Sequence, residues 1–369
     1  LRHAHARVIA PAIASLAAAA CVLQPDLDRY GYTACKKDAD CTEQGWPCES
    51  GFCTPPPWWE GATYGQRRQL TFENRSDMLL PKGFPVRVPV GPDPRPLKPD
   101  DVRPTTRVVA WDRTLRTQVE VGATVDVLGA STFDLLFPLP EDLPVAGVVR
   151  TIWLYGAAAP SASARTDNRA AVYTVEDTFE ADALDPVVWR MEGTASFAPG
   201  DGEVTIPTGG YLWTNAAVGA TPGVALTVLF SVTPEATCEG LVMGLMDSAT
   251  RGFGTPYAVV RATGMGTIVL EALRADDQQL EPALASPASL RSTTQRLDLL
   301  VSGSKVRATL DGLAMDTVEL RTPITRPLRA HFFVEGGSCQ LSLKQARVRP
   351  AFEPEPTIHP GKPATRPQE

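Results

Sequence analysis

The stretch 296-RLDLLVSGSKVRATLDG-312 alternates apolar and polar residues on both sides of a two-residue turn. Leu297, Leu299 and Val301 share one parity, and Val306, Ala308 and Leu310 repeat it after Gly303-Ser304. Successive side chains of a strand point to opposite faces, so each run has one face to bury. Two such runs joined by a short glycine-containing turn read as an antiparallel hairpin. Leu226, Val228, Phe230 and Val232 keep the same period. Upstream, "RRQLTFEN", "FPVRVPV", "TRVVAWD", "TQVEVGATVDVL", "TFDLLFPL" and "VVRTIWLYG" repeat it between loops rich in Pro and Gly. With no convincing helical period anywhere, the expectation is an all-β chain of antiparallel sandwiches.

A chain of 369 residues has room for two ordinary domains with small appendages. The texture changes place them at 58–174 and 175–349, after a leader at 1–20 and a cysteine-rich segment at 21–57. The last stretch, 350–369, reads "PAFEPEPTIHPGKPATRPQE", and its proline and polar content predicts an extended, disordered tail. A formal charge of −7, with no basic run beyond Arg67-Arg68, argues against binding nucleic acid.

The leader has weakly basic residues, Arg2 to Arg7, then an apolar Ala-rich run from Val8 to Ala20. This run is too short to span a bilayer, which takes about 20 apolar residues, but it has the build of a secretory signal with small residues before the cleavage point. Cys21 follows directly, and the whole resembles a bacterial lipoprotein signal. That resemblance implies acylation of Cys21 and a membrane tether through the lipid; ordinary signal cleavage beside a cysteine that happens to fall there is the alternative. Val22 in place of Asp implies sorting to the outer membrane. Ala18 stands where such signals usually have Leu.

Seven cysteines are present, an odd number for an exported chain. Setting Cys21 aside for lipid leaves Cys35, Cys41, Cys48 and Cys53 in a tight group, and Cys238 and Cys339 as a separated pair. A segment as short as "CKKDADCTEQGWPCESGFC" cannot bury enough surface to fold by itself, so cross-links must replace a core. Zinc is the rival for these four, although the close Cys-x2-Cys knuckles of zinc sites are missing. The pattern resembles cysteine-rich modules behind the lipidation site of bacterial surface lipoproteins, where it implies first-to-third and second-to-fourth pairing and a compact spacer. Cys339 shares the parity of Leu341 and Leu343 and should face inward; a bridge to Cys238 is expected, with two buried free thiols as the alternative.

Two further resemblances bear on the domains. Tyr64, Arg67, Arg68 and the run to Asn74, then Pro85 to Val88, then Asp101 and Arg103, then "TIWLYGAAAPSAS" resemble a bacterial domain of unknown function found before concanavalin A-like domains. This implies a sandwich and no known chemistry; Asp101 and Arg103 are read as an ion pair, either facing ligand or holding a loop. Asp177, Phe179, Leu184, Asp185 and Trp189 resemble the opening strand of a concanavalin A-like jelly roll, with Phe179 and Trp189 as core anchors.

Chemistry is sparse. Glu180, Asp182 and Asp185 superficially resemble the catalytic strand of some glucanases, and alternation would put Glu180 and Asp182 on one face. Asp185 has the wrong parity and length, so surface carboxylates beside a turn are the better reading. His331 lacks a nucleophile elbow elsewhere in the chain and reads as a satisfied strand residue. Related sandwiches often bind a structural calcium ion; Asp177 and Asp182 would hold one here, though nothing in their spacing demands it. Tyr211 and Trp213, in "GGYLWTN", are the candidates for stacking on a sugar, against burial in the core. The function expected is non-catalytic recognition of a glycan or surface protein at the cell envelope. A structural subunit of an envelope assembly is the alternative, and a glycan hydrolase a weaker third.

Overall fold

The computed structural model describes residues 33–41, 45–59, 63–158, 162–198, 200–234, 238–250, 256–264, 267–273, 284–315 and 317–366. Cys21 and the leader lie outside them. After a two-strand hairpin, β1 (Cys48–Glu49) and β2 (Phe52–Cys53), the first sandwich runs through β3 (Tyr64–Glu73), β4 (Pro85–Val90), β5 (Arg107–Asp112), β6 (Thr117–Val121), β7 (Thr124–Gly129), β8 (Thr132–Pro138) and β9 (Val148–Ala158). The second begins with β10 (Val175–Asp177), β11 (Trp189–Gly193), β12 (Ser196–Ala198), β13 (Glu203–Pro207), β14 (Gly210–Thr214), β15 (Gly223–Thr233) and β16 (Glu239–Met246). It continues with β17 (Tyr257–Gly264), β18 (Thr267–Leu273), β19 (Leu284–Ser289), β20 (Gln295–Ser302), β21 (Lys305–Leu310), β22 (Leu313–Ala314), β23 (Val318–Glu319), β24 (Arg329–Val334) and β25 (Gln340–Pro350). Two short strands close the chain, β26 (Thr357–Pro360) and β27 (Ala364–Thr365).

The second sandwich packs a nine-stranded antiparallel sheet, containing β13-β25-β15-β20-β21, on a seven-stranded one of order β11-β14-β24-β16-β17-β18-β19. Val224, Leu226, Val228, Phe230 and Val232 of β15 are fully buried between them, as their alternation requires. The opening hairpin pairs Ser302 with Lys305 across Gly303-Ser304, and Gly303 supplies the left-handed φ of +59° that the turn needs. Phe179 and Trp189 anchor this core with ring centroids 5.5 Å apart. Cys238 and Cys339 are bonded to each other inside it.

The first sandwich packs a six-stranded sheet, with path β26-β3-β9-β5-β6, on the three-stranded sheet β4-β8-β7. Leu70, Phe72, Val86, Val88, Leu135 and Phe137 lie between them. The tail corrects the sequence reading. Residues after Pro350 return to the first sandwich: β26 pairs with β3 from Leu70 to Glu73, and β27 pairs at Gln66 and Arg67. Phe352 is buried in the first core and Ile358 packs against it. Two apolar anchors and the unpaired edge of β3 order a segment whose composition reads as disorder, because backbone pairing is indifferent to side-chain polarity.

The cysteine-rich segment is a disulfide-bonded knot docked on the first sandwich. Cys35 is bonded to Cys48 and Cys41 to Cys53, so these four sulfurs leave no thiolate for zinc. Trp46 packs on both the knot and the aromatic cluster of Tyr64, Trp111, Trp153 and Tyr155 outside the six-stranded sheet. Gly45 sits so close to Arg150 that a Cβ would meet its carbonyl oxygen at 2.6 Å. The motif residues of the first sandwich have structural work: Arg68 pairs with Asp101 at 3.1 Å, and Arg67 lies 4.8 Å over Trp58. Arg103 pairs with Asp100 at 3.5 Å, so Asp101 and Arg103 do not form the expected pair.

The two sandwiches are stacked. Asp126 on β7 is bonded to Arg347 on β25 and lies 3.2 Å from Arg296 on β20. The outer face of the three-stranded sheet is therefore turned toward the outer face of the nine-stranded sheet. The seven-stranded sheet keeps its second face away from this junction.

Candidate functional site

Register across the seven-stranded sheet builds its outer face in rows. One row runs Arg190, Trp213, His331, Gly244, Val259, Glu271; the next runs Glu192, Tyr211, Phe333, Val242, Arg261, Val269. Tyr211 and Trp213 thus face away from the sandwich core, whose residue on β14 is Leu212. Trp213 stacks on His331 with planes 6° apart, and Tyr211 stacks on Phe333 at 5.4 Å. Gly244 gives the row its flat centre; a Cβ there would meet Val259 Cα at 2.6 Å.

Trp213 is only 4% exposed, so it stabilises the face more than it offers a platform, whereas Tyr211 remains half-buried. Beside Tyr211, Arg190 and Glu192 on the edge strand are exposed. Arg190 Nε donates to Asn215 Oδ1 at 2.9 Å. His331 is buried and bonded through Nε2 to the Ser248 carbonyl at 3.2 Å. Burial lowers its pKa to about 4, so the imidazole is neutral at neutral pH and Nε2 is the donor.

Hydrolysis of a glycosidic bond requires two carboxyl groups about 5–9.5 Å apart. The carboxylates of these rows sit at opposite margins, Glu192 on β11 and Glu271 on β18. Five strand spacings separate them, about 24 Å at the usual interstrand distance. Glu271 is further held near Arg261, 3.9 Å away. Glu180, Asp182 and Asp185 do not repair this: they are exposed in the loop between β10 and β11, not on a strand, so alternation does not place the first two on one face. Asp185 Oδ1 accepts the Val187 amide at 2.8 Å and shapes the turn.

Both oxygens of Asp177, one of the two residues read as holding calcium, are engaged by donors of the protein. Its Oδ1 accepts the Phe179 amide at 2.7 Å and its Oδ2 the Trp189 indole N–H at 2.8 Å. Among the described residues, no cluster of three or more carboxylates or histidines comes together around them. Sequence reasoning missed the charged junction between the sandwiches. Its signal was present: Arg296 and Asp298 alternate with Leu297 and Leu299, and Arg347 and Arg349 with Ala346 and Val348, which marks the second face of those strands as charged.

No protein-family model and no curated protein matches the chain. Solved structures similar to it include the carbohydrate recognition domain of Emp47p, with a TM-score of 0.40 and 9% identity over 49% of this chain and 98% of that one. They also include Bacillus licheniformis β-glucanase, with a TM-score of 0.38 and 10% identity over 48% and 98%. The exoplasmic/lumenal domain of VIP36, in a Ca2+/Man3GlcNAc-bound form, aligns with a TM-score of 0.36 and 11% identity over 50% and 99%. By its sheets and disulfides the chain is an all-β protein of two antiparallel sandwiches behind a small disulfide-bonded module.

Proposed function

We propose that this chain is an exported lipoprotein of the cell envelope, tethered through acylated Cys21, that recognises a glycan without cleaving it. The contact region is the margin of the outer face where half-buried Tyr211 stands beside exposed Arg190 and Glu192. The observation that carries this reading is the half-buried ring of Tyr211 beside the exposed polar groups of Arg190 and Glu192, while among the described residues of the two rows the carboxylates of Glu192 and Glu271 are too far apart to act as a pair. Aromatic faces suit the C–H faces of sugar rings, and a few polar groups at the rim fix the hydroxyls. Export and the tether are supported by cysteine pairing: six of the seven are bonded as three disulfides, which leaves Cys21 for other chemistry.

A glycan-array screen of residues 22–369 tests the reading. Binding that falls about ten-fold or more in Tyr211→Ala supports it; silence across the array overturns it. Turnover abolished by Glu180→Gln would overturn the non-catalytic assignment. Mass spectrometry of native material showing an unmodified Cys21 would remove the tether.

A second reading, a structural subunit of an envelope assembly, draws on exposed Leu79 and Val145 at one end of the first sandwich. They flank the bridge between Leu80 and Leu143 and leave apolar surface of the kind that partners cover. Co-purification of an envelope protein with an array-silent chain would favour it.

A further inference from the structure

Between the two sandwiches lies a cleft of about 480 Å³. Its floor is the outer face of the nine-stranded sheet at Ala225, Thr227 and Leu300, and its roof carries Leu128 and Leu136 of the three-stranded sheet. The floor residues are part-exposed although they lie between layers. Ion pairs that served only to join the sandwiches would let these faces close on one another; here the faces stand apart.

The walls are made of charges fixed by one another. Arg347 is bonded to Asp126 and, at 2.8 Å, to Glu176. Arg296 holds Asp298 at 2.8 Å. Arg87 reaches Glu355 at 2.6 Å and Asp134 at 3.5 Å, Arg349 shares Glu355 at 3.0 Å, and Arg307 is bonded to Glu353. The five guanidinium groups of the lining are matched by five carboxylates, Asp126, Asp134, Asp298, Glu353 and Glu355. Their charges cancel, so a ligand with net charge gains nothing from the site as a whole. Each guanidinium nonetheless has five N–H donors in a fixed plane, and each carboxylate several acceptor positions. The buried hydroxyl of Tyr173, a lining residue, has no hydrogen-bond partner within the protein, and Asp134 Oδ1 accepts none but lies 3.8 Å from the Arg95 guanidinium.

Rigid alternating donors and acceptors on the walls, apolar panels above and below, zero net charge and a volume within the usual small-molecule range of about 300–1,000 Å³ describe one chemistry. We propose that the cleft binds a neutral polyhydroxylated molecule, a mono- or disaccharide, at a site separate from the Tyr211 margin. Vicinal hydroxyls donate to one wall group and accept from the next, and the C–H faces of the ring lie on the leucine panels.

Saturation-transfer NMR on residues 22–369, with glucose, galactose, mannose, N-acetylglucosamine and cellobiose as probes, tests this. Binding of at least one probe is expected, and Ala225→Trp, which fills the floor without removing a charge, is expected to weaken it about ten-fold or more. Leu300→Phe is a second filler should Ala225→Trp fail to fold, as judged by near-UV circular dichroism. The fillers are read in the Tyr211→Ala background, so that sugar held at the outer margin does not contribute and the two sites are separated. No bound probe in the Tyr211→Ala background, binding there that survives both fillers, or displacement of the sugar by inorganic phosphate or spermidine would overturn the proposal.

Discussion

Asp177 accepts the Trp189 indole N–H through Oδ2 at 2.8 Å while its Oδ1 holds the amide of Phe179. One carboxylate therefore fixes a core ring and a residue whose φ is +55°. Asp177→Ala leaves both donors without partners and is expected to destabilise the second sandwich by about 1–3 kcal/mol. Urea unfolding followed by tryptophan emission measures it, and Asp177→Asn should recover part of the loss.

The Cys238–Cys339 bond closes a loop of 101 residues. In the chain-entropy account, removing such a link lowers stability by about 4–5 kcal/mol. The double variant Cys238→Ala/Cys339→Ala is expected to lower the denaturant midpoint and to raise its slope, because the unfolded chain without the link is less compact. An unaltered midpoint would show that packing of the two sheets alone holds these strands.

His331 gives the second sandwich a pH dependence of known sign. Its folded pKa, about 4, lies below the ordinary 6.5, so between these values the unfolded chain binds more protons than the folded one. Stability from this group is complete above pH 6.5 and falls as pH drops toward 4, by about 3 kcal/mol in all. His331→Phe keeps a ring against Trp213 and is expected to flatten that part of the profile. Stability curves of the two proteins from pH 4 to 7 would show it.

Phe352 and the strands after it belong to the first sandwich. Phe352→Ala is expected to cost about 3 kcal/mol through the cavity it leaves. Ending the chain at Pro350 should cost more and should speed amide exchange in β3, whose outer edge would then face water. Exchange confined to the last residues, with β3 unchanged, would contradict the pairing.

Strand positions in both sandwiches were legible because their alternation is strong. The parity of Cys339 was legible for the same reason, with Leu341 and Leu343 beside it. Three features were not. The 178–188 loop has carboxylates at strand spacing but is shaped by local bonds from Asp177 and Asp185, which a parity count does not see. The tail is ordered by a distant strand edge, and its own composition does not register that partner. Trp213 could be assigned to β14 but not to a face, since the choice depends on which neighbouring strand carries His331.

The first sandwich borrows its outermost strands from the end of the chain. Synthesis runs from the amino terminus, so β3 emerges with one flank bare and stays so until the second sandwich has been made. The domain made first is finished last. Whatever meets the growing polypeptide must keep that flank from recruiting a neighbour in the interval.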